Sequence, residues 1–250
     1  MDRINKALVS RRFAGSLDSY SINAVVQRET AHGLIAALKA DSGSRFDAIF
    51  EVGCGTGLLT AIIARELQYR QLTVNDLVPD CRHCVAEIAD CEFIAGDIET
   101  ITELPRPVDL VISNATFQWL ANPEAAFAGF AGIMPSGGIL AFSTFGPENL
   151  REIAAVTGHS LVYRSTADLR RMLTRDFEIK TIAEQSRTMV FNAPLEVLEH
   201  LRKTGVTGVS NKIWTKSGLK SFINGYIDRY SVNGGVVLTY HPILVVAVKR

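Results

Sequence analysis

The chain has 250 residues, of which 47% are hydrophobic and 21% are charged, which is enough for one large α/β domain. Its formal net charge is zero, so the composition argues against a general nucleic-acid binder. No apolar run approaches the roughly 18 residues of a membrane span and the polar start lacks a signal segment, so we expect a cytoplasmic protein that meets no membrane.

The first predicted element is an N-terminal segment that carries aromatic side chains. Residues 12–27 contain too few apolar residues to form a core alone, and the rings of Phe13 and Tyr20 therefore need a surface to close on. Two interpretations remain open. The segment is either a lid that contacts a ligand or a helix packed on the domain, with its rings filling gaps.

A glycine-rich loop at residues 51–57, Glu-Val-Gly-Cys-Gly-Thr-Gly, follows an apolar run that ends at residue 50 and precedes a helix-like segment. This order predicts strand, loop and helix, in which Gly53, Gly55 and Gly57 let the backbone turn and approach a bulky ligand. The dinucleotide fingerprint is G-x-G-x-x-G, whereas this loop has G-x-G-x-G with an acid, Glu51, at the strand end. The spacing resembles motif I of S-adenosylmethionine (SAM) methyltransferases. The alternative is a tight turn without a ligand.

Three later predicted strands also end in polar residues. These strands and ends are 72–74 with Asn75 and Asp76, 92–95 with Gly96 and Asp97, and 108–114, which closes on Asn114. Because ligands bind at the carboxyl ends of strands in open α/β sheets, the four ends predict one shared site. Asp76 stands about 20 residues after the glycines, where such folds place an acid against ribose hydroxyls. The ordered ends favour SAM binding over a bare turn.

The second half of the chain is expected to complete the sheet. An amphipathic helix over 123–134 precedes a buried fifth strand at 138–145. Two further strands are expected, one at 178–184 with a possible continuation to 191, and one at 236–249. The turn residues between these elements are short clusters, so no linker or second independent domain is predicted.

Between the last two strands lies an insertion. Apolar residues at helical spacing predict helices at 194–204 and 215–230, which together with 151–173 would cover the carboxyl edge of the sheet as a substrate cap. The sequence therefore predicts a Rossmann-like α/β fold with a seven-stranded, mostly parallel sheet, helices on both faces, an N-terminal lid and a helical insertion before the last strand. The expected divisions are a lid at 1–45, a cofactor-binding core at 46–147, a cap at 148–235 that contains the sixth strand, and a last strand at 236–250.

Four cysteines, Cys54, Cys81, Cys84 and Cys91, include a C-x-x-C pair. A structural zinc site normally needs a second ligand pair at finger or ribbon spacing, and only Cys91 follows. On a helix over 79–89, Cys81 and Cys84 would share one face and pack as small apolar groups. We therefore expect no metal site.

Several segments beyond the glycine loop carry a narrower resemblance. The specific ones are Asn-Ala-Thr-Phe-Gln-Trp at 114–119, Leu-Arg-Lys-Thr-Gly at 201–205 and Leu-Thr-Tyr-His at 238–241, accompanied by Phe13, Tyr20, Gln27 and the segments 75–77, 96–99 and 142–146. Nearly end to end, the chain resembles the malonyl-acyl-carrier-protein O-methyltransferase family of biotin synthesis, within the class I SAM-dependent methyltransferases. One departure is Ser21, where the family pattern leads us to expect an aspartate after the N-terminal tyrosine.

The resemblance implies that SAM methylates the free carboxylate of a malonyl thioester, leaving S-adenosylhomocysteine. The expected partner is malonyl-acyl carrier protein or malonyl-CoA. A carboxylate is already ionised at neutral pH, so we expect no residue that acts as a catalytic acid or base. Positioning of the two reactants within a dry site would then supply most of the acceleration.

Site roles follow from the same resemblance. The expected cofactor-binding residues are Glu51, Gly53, Cys54, Gly55, Gly57, Asn75, Asp76, Leu77, Gly96, Asp97, Ile98 and Asn114. Among them, Glu51 would orient the methionine end, Asp76 would bind the ribose and Asp97 would frame adenine. The expected acceptor-positioning residues are Tyr20, Gln118, Trp119 and Tyr240, with Arg202 and Lys203 as the cations for the carboxylate. For Trp119 and Tyr240, core packing is the alternative, and His200 and His241 are interpreted as structural.

Charge is unevenly divided along the chain. Residues 1–125 carry 11 Lys/Arg against 17 Asp/Glu, and residues 126–250 carry 15 against 9. The basic half would suit an acidic carrier protein, although a chance distribution of solvated charges remains open. The candidate docking residues are Arg170, Arg171, Arg175, Lys212, Lys216 and Lys220. Two other functions also remain open: a SAM-dependent methyltransferase for another small carboxylic acid, and a non-catalytic SAM-binding module.

Overall fold

A computed structural model describes residues 4–205 and 215–250 of the chain. Its main sheet has seven strands in the order β3-β2-β1-β4-β5-β10-β6. The strands are β1 Ala48–Val52, β2 Gln71–Asp76, β3 Glu92–Ala95, β4 Leu110–Asn114, β5 Ile139–Phe145, β6 Phe177–Glu184 and β10 Pro242–Lys249. The first five pair in parallel, and β10 runs antiparallel to both β5 and β6. The predicted seven-stranded, mostly parallel sheet is confirmed.

Helices cover both faces of this sheet, as predicted. The helices are α1 Lys6–Ala14, α2 Leu17–Asn23, α3 Val25–Ser42, α4 Leu58–Glu66, α5 Cys81–Ala86, α6 Pro123–Ile133, α7 Arg151–Thr157, α8 Thr166–Leu173, α9 Pro194–Lys203 and α10 Lys216–Tyr230. Successive strand residues point to opposite faces, so Ile49 joins a core with α3 and α4 while Phe50 joins one with α6 and α8. No helix in the described part of the chain is long and apolar enough to cross a membrane.

The central strands β1, β4 and β5 are buried along most of their length, which explains why their sequences are apolar runs. All seven residues of β5 are buried. The parallel strands β1 to β4 all present their carboxyl ends at the same edge of the sheet. The glycine loop and the polar residues Asp76, Asp97 and Asn114 therefore meet there, as the sequence predicts.

The C-terminal strands match the prediction only in part. The strand expected at 178–184 is confirmed as β6, but its possible continuation to 191 is a separate strand, β7 Arg187–Phe191. The run expected at 236–249 is divided into β9 Gly235–Tyr240 and β10. With β8 Ser231–Val232, β7 and β9 build a second, antiparallel sheet of three strands, which the sequence analysis did not predict.

The division between β9 and β10 falls at His241 and has a local cause. The backbone N–H of His241 donates to Asn149 Oδ1 at 3.2 Å instead of to a neighbouring strand. Its ring packs so closely on Gly146 that a Cβ there would lie 2.7 Å from the ring atoms. Pro242 follows and has no N–H to offer a ladder. These contacts turn the chain from one sheet into the other.

The small sheet and the helices α7, α9 and α10 enclose a third core, which includes Phe222, Tyr226 and Leu238. At the other end of the chain, α3 buries Leu34 and Leu38 in the main core, whereas Leu8 is the one buried residue of α1. The helix expected at 79–89 is shorter than predicted and forms only α5. Thus α1, α2 and the small C-terminal sheet are additions around a Rossmann-like core.

Candidate active site

A large pocket lies at the carboxyl edge of the main sheet, between the strand ends, the N-terminal helices and the C-terminal insertion. It encloses about 1260 Å³, including the space at its open mouth. It is lined on one side by residues of the strand ends and on the other by residues of the N-terminal helices and the C-terminal insertion.

Most of the predicted site residues line this pocket. Those that do are Tyr20, Gly53, Cys54, Gly55, Asn75, Asp76, Leu77, Gly96, Asp97, Ile98, Asn114, Gln118, Trp119 and Tyr240. Four predicted residues, Glu51, Gly57, Arg202 and Lys203, are not among the lining residues. The structure thus gathers residues from four strand ends, from α2 and from the small sheet around one cavity.

The glycine loop forms one wall of the pocket, and its backbone adopts conformations that favour glycine. Gly53 and Gly55 have φ angles of +74° and +54°. The N–H groups of Gly53 and Cys54 both donate to the carbonyl of Asn75, at 2.8 and 2.9 Å, which ties the loop to β2. A Cβ on Gly53 would overlap with the side chain of Thr116. The loop can therefore approach a ligand only with glycine at this position.

Replacing Gly53 with alanine should test that requirement. Its control is Gly137→Ala, because Gly137 has a similar φ of +85° but no atom within 4 Å of the added Cβ. We expect the control to lose about 1–2 kcal/mol of unfolding free energy from backbone strain. The Gly53 variant should lose about 3 kcal/mol and bind SAM roughly tenfold more weakly, because Thr116 is stiff and must move. Urea unfolding and calorimetric SAM titration measure both effects; equal losses in the two variants would refute a steric role.

Gly57 packs away from the pocket. Its φ is +80°, and a Cβ would overlap with Ile88, just beyond α5. The third glycine of the motif therefore allows close packing of α4 against the following βα unit. Its predicted role as a cofactor contact is not supported by its position.

Glu51 also lies beneath the loop rather than in the pocket wall. Its side chain is 1% exposed, and Oε2 accepts a 2.7 Å hydrogen bond from Thr60 Oγ1. Within residues 4–205 and 215–250, its other oxygen, Oε1, has no hydrogen-bond partner. Burial, with a smaller contribution from the charge of Asp76, raises the pKa of Glu51 from 4.5 to about 8. The predicted direct contact with the methionine end is therefore not seen.

Asp76 is the acid that faces the cavity. Its Oδ2 accepts from the N–H of Gly55 and its Oδ1 from the N–H of Val78, each at 2.8 Å. A carboxylate has about four acceptor positions, so both oxygens can still accept hydrogen bonds from the hydroxyls of a ribose. Burial raises the pKa of Asp76, and these backbone hydrogen bonds oppose that rise. The residue fits the predicted nucleoside-binding role.

The part of the pocket that contains the glycine loop and Asp76 is closed at its far end by Lys6, a residue that the sequence analysis missed. Lys6 of α1 contacts Asp97 at 2.6 Å and also pairs with Glu99. Asn75 donates to the carbonyls of Ile94 and Gly96, at 2.9 and 3.0 Å, and so fixes the loop after β3. The contact between Lys6 and Asp97 joins residues 91 positions apart, and no local pattern marks it. It holds α1 over the pocket.

The opposite half of the pocket is aromatic and rich in hydroxyl and amide groups. Tyr20, Gln118, Trp119 and Tyr240 line it, as predicted. Trp119 is only partly buried, whereas Tyr240 is 1% exposed and belongs to the third core as well as to the lining. Further lining residues that the sequence analysis missed are Phe145, Asn149, Leu161, Tyr163, Thr204 and Gly205.

Asn114 connects the two halves. Its Oδ1 accepts from Ser143 Oγ at 2.6 Å, and its Nδ2 donates to the carbonyl of Gln27 at 3.1 Å. Strand β5 and helix α3 therefore hold the amide from two sides. This position at the end of β4 keeps Asn114, one of the residues expected to bind the cofactor, at the pocket wall.

The predicted cations for the substrate carboxylate are placed elsewhere. Arg202 is exposed, and Lys203 pairs with Glu199 on the same helix at 2.9 Å. The neighbouring residues Thr204 and Gly205 line the pocket instead. The side chains of Arg202 and Lys203 do not line the pocket, so this structure does not support them as the anchor of the carboxylate.

Comparisons with known proteins identify the fold and the family of the chain. A family model described as a methyltransferase domain matches residues 50–142. In Bacillus subtilis, the YcgJ protein shares the fold, with a TM-score of 0.65 at 12% identity over 88% of this chain and 99% of that one. The N-methyltransferase NodS of Bradyrhizobium japonicum, solved with S-adenosylhomocysteine, gives a TM-score of 0.54 at 15% identity, over 89% of this chain and 86% of that one.

Relatives that match over nearly their full length define the family more narrowly. A protein of Chlorobium luteolum named malonyl-acyl-carrier protein O-methyltransferase is 39% identical over 98% of this chain and 96% of its own length. Proteins of the same name from Bacteroides thetaiotaomicron and Haemophilus ducreyi are each 34% identical, over 99% and 100% of this chain and 99% of their own lengths. The chain therefore belongs to the malonyl-acyl-carrier protein O-methyltransferase family of SAM-dependent enzymes.

Proposed function

We propose that this pocket binds SAM at its glycine-loop half and methylates the free carboxylate of a malonyl thioester at its aromatic half, an early step of biotin synthesis. The observation that carries the proposal is the joining of both halves in one cavity. Asp76 and the glycine loop face one side, and Tyr20, Trp119 and Tyr240 face the other. The cytoplasmic location expected from the sequence is part of the proposal.

On the cofactor side, the chain offers complementary groups to each part of a nucleoside. Asp76 would accept hydrogen bonds from the ribose hydroxyls, and Gly53 and Gly55 leave space for the methionine part. Asp97 and Ile98 would lie against the adenine. Bound SAM supplies an electrophilic methyl group on a positively charged sulfonium.

The proposed reaction requires no proton acceptor on the acceptor side. A malonyl carboxylate is ionised at neutral pH. Burial raises the pKa values of Tyr20 and Tyr240 and lowers that of His200, so these groups stay neutral there. Their proposed contribution is to exclude water and to hold the carboxylate oxygen near the methyl group.

A carrier protein would dock through the basic C-terminal half. Arg170, Arg171 and Arg175 are exposed on or just after α8, and Lys216 and Lys220 are exposed on α10. Arg171 pairs with Asp168 at 2.7 Å and Arg175 with Asp176 at 3.6 Å. Lys212, also predicted for docking, lies outside the described residues.

Charge reversal should test the docking proposal. We expect Arg170→Glu combined with Lys216→Glu to raise the KM for malonyl-acyl carrier protein about tenfold and to raise that for malonyl-CoA far less, because the carrier presents an extended acidic surface whereas CoA carries only its phosphates. Arg70→Glu is the control, since its side chain is 83% exposed at the amino end of β2, away from the pocket. Steady-state kinetics at two salt concentrations measure the effect; an equal rise with malonyl-CoA would place the damage in the pocket instead.

Methyl transfer from labelled SAM decides the proposed function itself. The acceptors to compare are malonyl-acyl carrier protein, malonyl-CoA, free malonate and acetyl-acyl carrier protein. Label on the malonyl thioesters alone, with the carrier form fastest, is the expected result. Labelling of free malonate at the same rate would indicate a methyltransferase for small carboxylic acids. SAM binding without any labelled acceptor would contradict the assigned substrate.

A further inference from the structure

Within residues 4–205 and 215–250, the acceptor half of the pocket presents no cation to a bound carboxylate. Among the lining residues that the structure describes, Lys6 alone carries a side-chain positive charge, and it is held by Asp97 and Glu99 at the opposite end. Neutral hydrogen-bond donors are therefore the groups to examine for an acceptor subsite.

Asn149 is the first of these groups, and its amide orientation is fixed by the backbone. The residue is 2% exposed and lines the pocket. Its Oδ1 accepts from the N–H of His241 at 3.2 Å. Because an N–H can only donate, Oδ1 must face His241, and Nδ2 must face Tyr163, whose Oη lies 2.9 Å away.

This orientation determines what Tyr163 can do. Its phenolic oxygen accepts the hydrogen bond from Asn149, so its own proton must be donated elsewhere. No residue in 4–205 or 215–250 accepts that proton, and the side chain lines the pocket. Burial raises the pKa of Tyr163 to about 12, so the proton is present at neutral pH. The arrangement leaves one oriented O–H donor available to a ligand.

The surrounding backbone holds this donor in place. Leu150, next to Asn149, has a φ of +54°, a left-handed conformation that is strained for a residue with a side chain. Its N–H donates to the carbonyl of Thr239 at 2.8 Å, and the N–H of Asn149 donates to Gly146 at 3.0 Å. Together with the N–H of His241 that donates to the side chain, these two hydrogen bonds keep the Asn149 amide at the pocket wall.

A second hydroxyl lies beside the first. Tyr240 Oη is 2.8 Å from His200 Nε2, in a buried contact. Tyr20, Tyr163 and Tyr240 all line the pocket, so three phenol groups are available to a ligand there.

We propose that the substrate carboxylate is recognised by the O–H of Tyr163, oriented by Asn149, with Tyr240 alongside, and not by an arginine or lysine. This inference rests on the proposed function and specifies its acceptor subsite. A neutral donor can hold the oxygen that does not react while the other oxygen keeps its electron density for the methyl group. The sulfonium of bound SAM then serves as the counter-charge of the carboxylate, and a fixed cation would compete with it.

Tyr163→Phe removes the donor and keeps the ring. We expect kcat/KM for malonyl-CoA or malonyl-acyl carrier protein to fall about tenfold to hundredfold, as for loss of a hydrogen bond to a charged group. The Kd for SAM should be unchanged. Inhibition by acetyl-CoA, which lacks the carboxylate, should also be unchanged, whereas a general distortion of the pocket would weaken it. Tyr230→Phe, outside the pocket lining, is the control.

Asn149→Asp provides a second, independent variant. One carboxylate oxygen can still accept from the N–H of His241, but the other would accept the proton of Tyr163 and draw it away from the substrate. We expect a loss at least as large as that of Tyr163→Phe, with SAM binding retained. Wild-type activity within twofold in a Tyr163→Phe protein that binds SAM normally would overturn the inference. If the wild-type protein methylates no malonyl thioester, it is the proposed function that fails.

Discussion

Replacing Asp76 with asparagine should raise the Kd for SAM about 100-fold, because hydrogen bonds to a charged acceptor are each worth about 1.5–3 kcal/mol. In the cofactor-free protein the two carboxylate oxygens already accept from the N–H groups of Gly55 and Val78. An asparagine could satisfy only one of these groups and would direct its own NH₂ at the other. The substitution therefore removes the acceptors for the ribose hydroxyls and also loosens the glycine loop.

Isothermal titration with SAM and with S-adenosylhomocysteine measures this effect. Asp97→Asn is the matched control, since Asp97 also lines the pocket but is engaged by Lys6 and by the N–H of Glu99. We expect a smaller loss there, about threefold to tenfold, as for one partly exposed charged group. Thermal unfolding without cofactor checks that Asp76→Asn remains folded. A Kd within threefold of the wild-type value would remove Asp76 from the cofactor site.

Much of the main sheet could be predicted because the residues that mark each strand lie close together in the sequence. Buried parallel strands appear as apolar runs, and each run ends in polar residues at the ligand-binding edge. Asp76, Asp97 and Asn114 were found in this way, and all three line the pocket. For this half of the site, the spacing of residues along the chain was sufficient.

The glycine motif located the site but did not identify every contact. The residues of the motif have different roles. Gly53 and Gly55 face the cavity, while Gly57 and Glu51 pack beneath it. A sequence pattern records that these residues are needed together. Which of them face the ligand depends on how α4 and α5 pack, and this information is not in the motif.

The acceptor half of the pocket could not be predicted in this way, because it is built from contacts between residues that are distant in the sequence. Asn149 meets His241 across 92 residues, and this contact also divides the C-terminal apolar run into two strands. Apolar residues continue on both sides of His241, so periodicity alone predicts one long strand. Tyr163 likewise lies in a segment without regular structure, where no pattern distinguishes it from a surface tyrosine.

The second large effect is expected from Glu51, and it concerns the stability of the fold and not ligand binding. Its pKa is 4.5 without the fold and about 8 within it, because burial disfavours the charged form. Below pH 4.5 the group is neutral in both states and has no effect. Between pH 4.5 and pH 8 the unfolded chain ionises while the folded protein keeps its proton, so stability falls as the pH rises and levels off above pH 8. The total loss is on the order of 5 kcal/mol.

Glu51→Gln should remove this pH dependence. Glutamine can still accept the hydrogen bond from Thr60, but its buried NH₂ group lacks a partner, which costs about 1–3 kcal/mol. The variant should therefore be less stable than the wild type at pH 5 and more stable at pH 8, by about 2 kcal/mol each way. Urea unfolding of the cofactor-free protein at both pH values measures the crossing, with exposed Glu87→Gln as the control. Parallel pH profiles for the wild type and Glu51→Gln would mean that Glu51 is ionised in the folded protein, and the oxygen without a partner would then require another explanation.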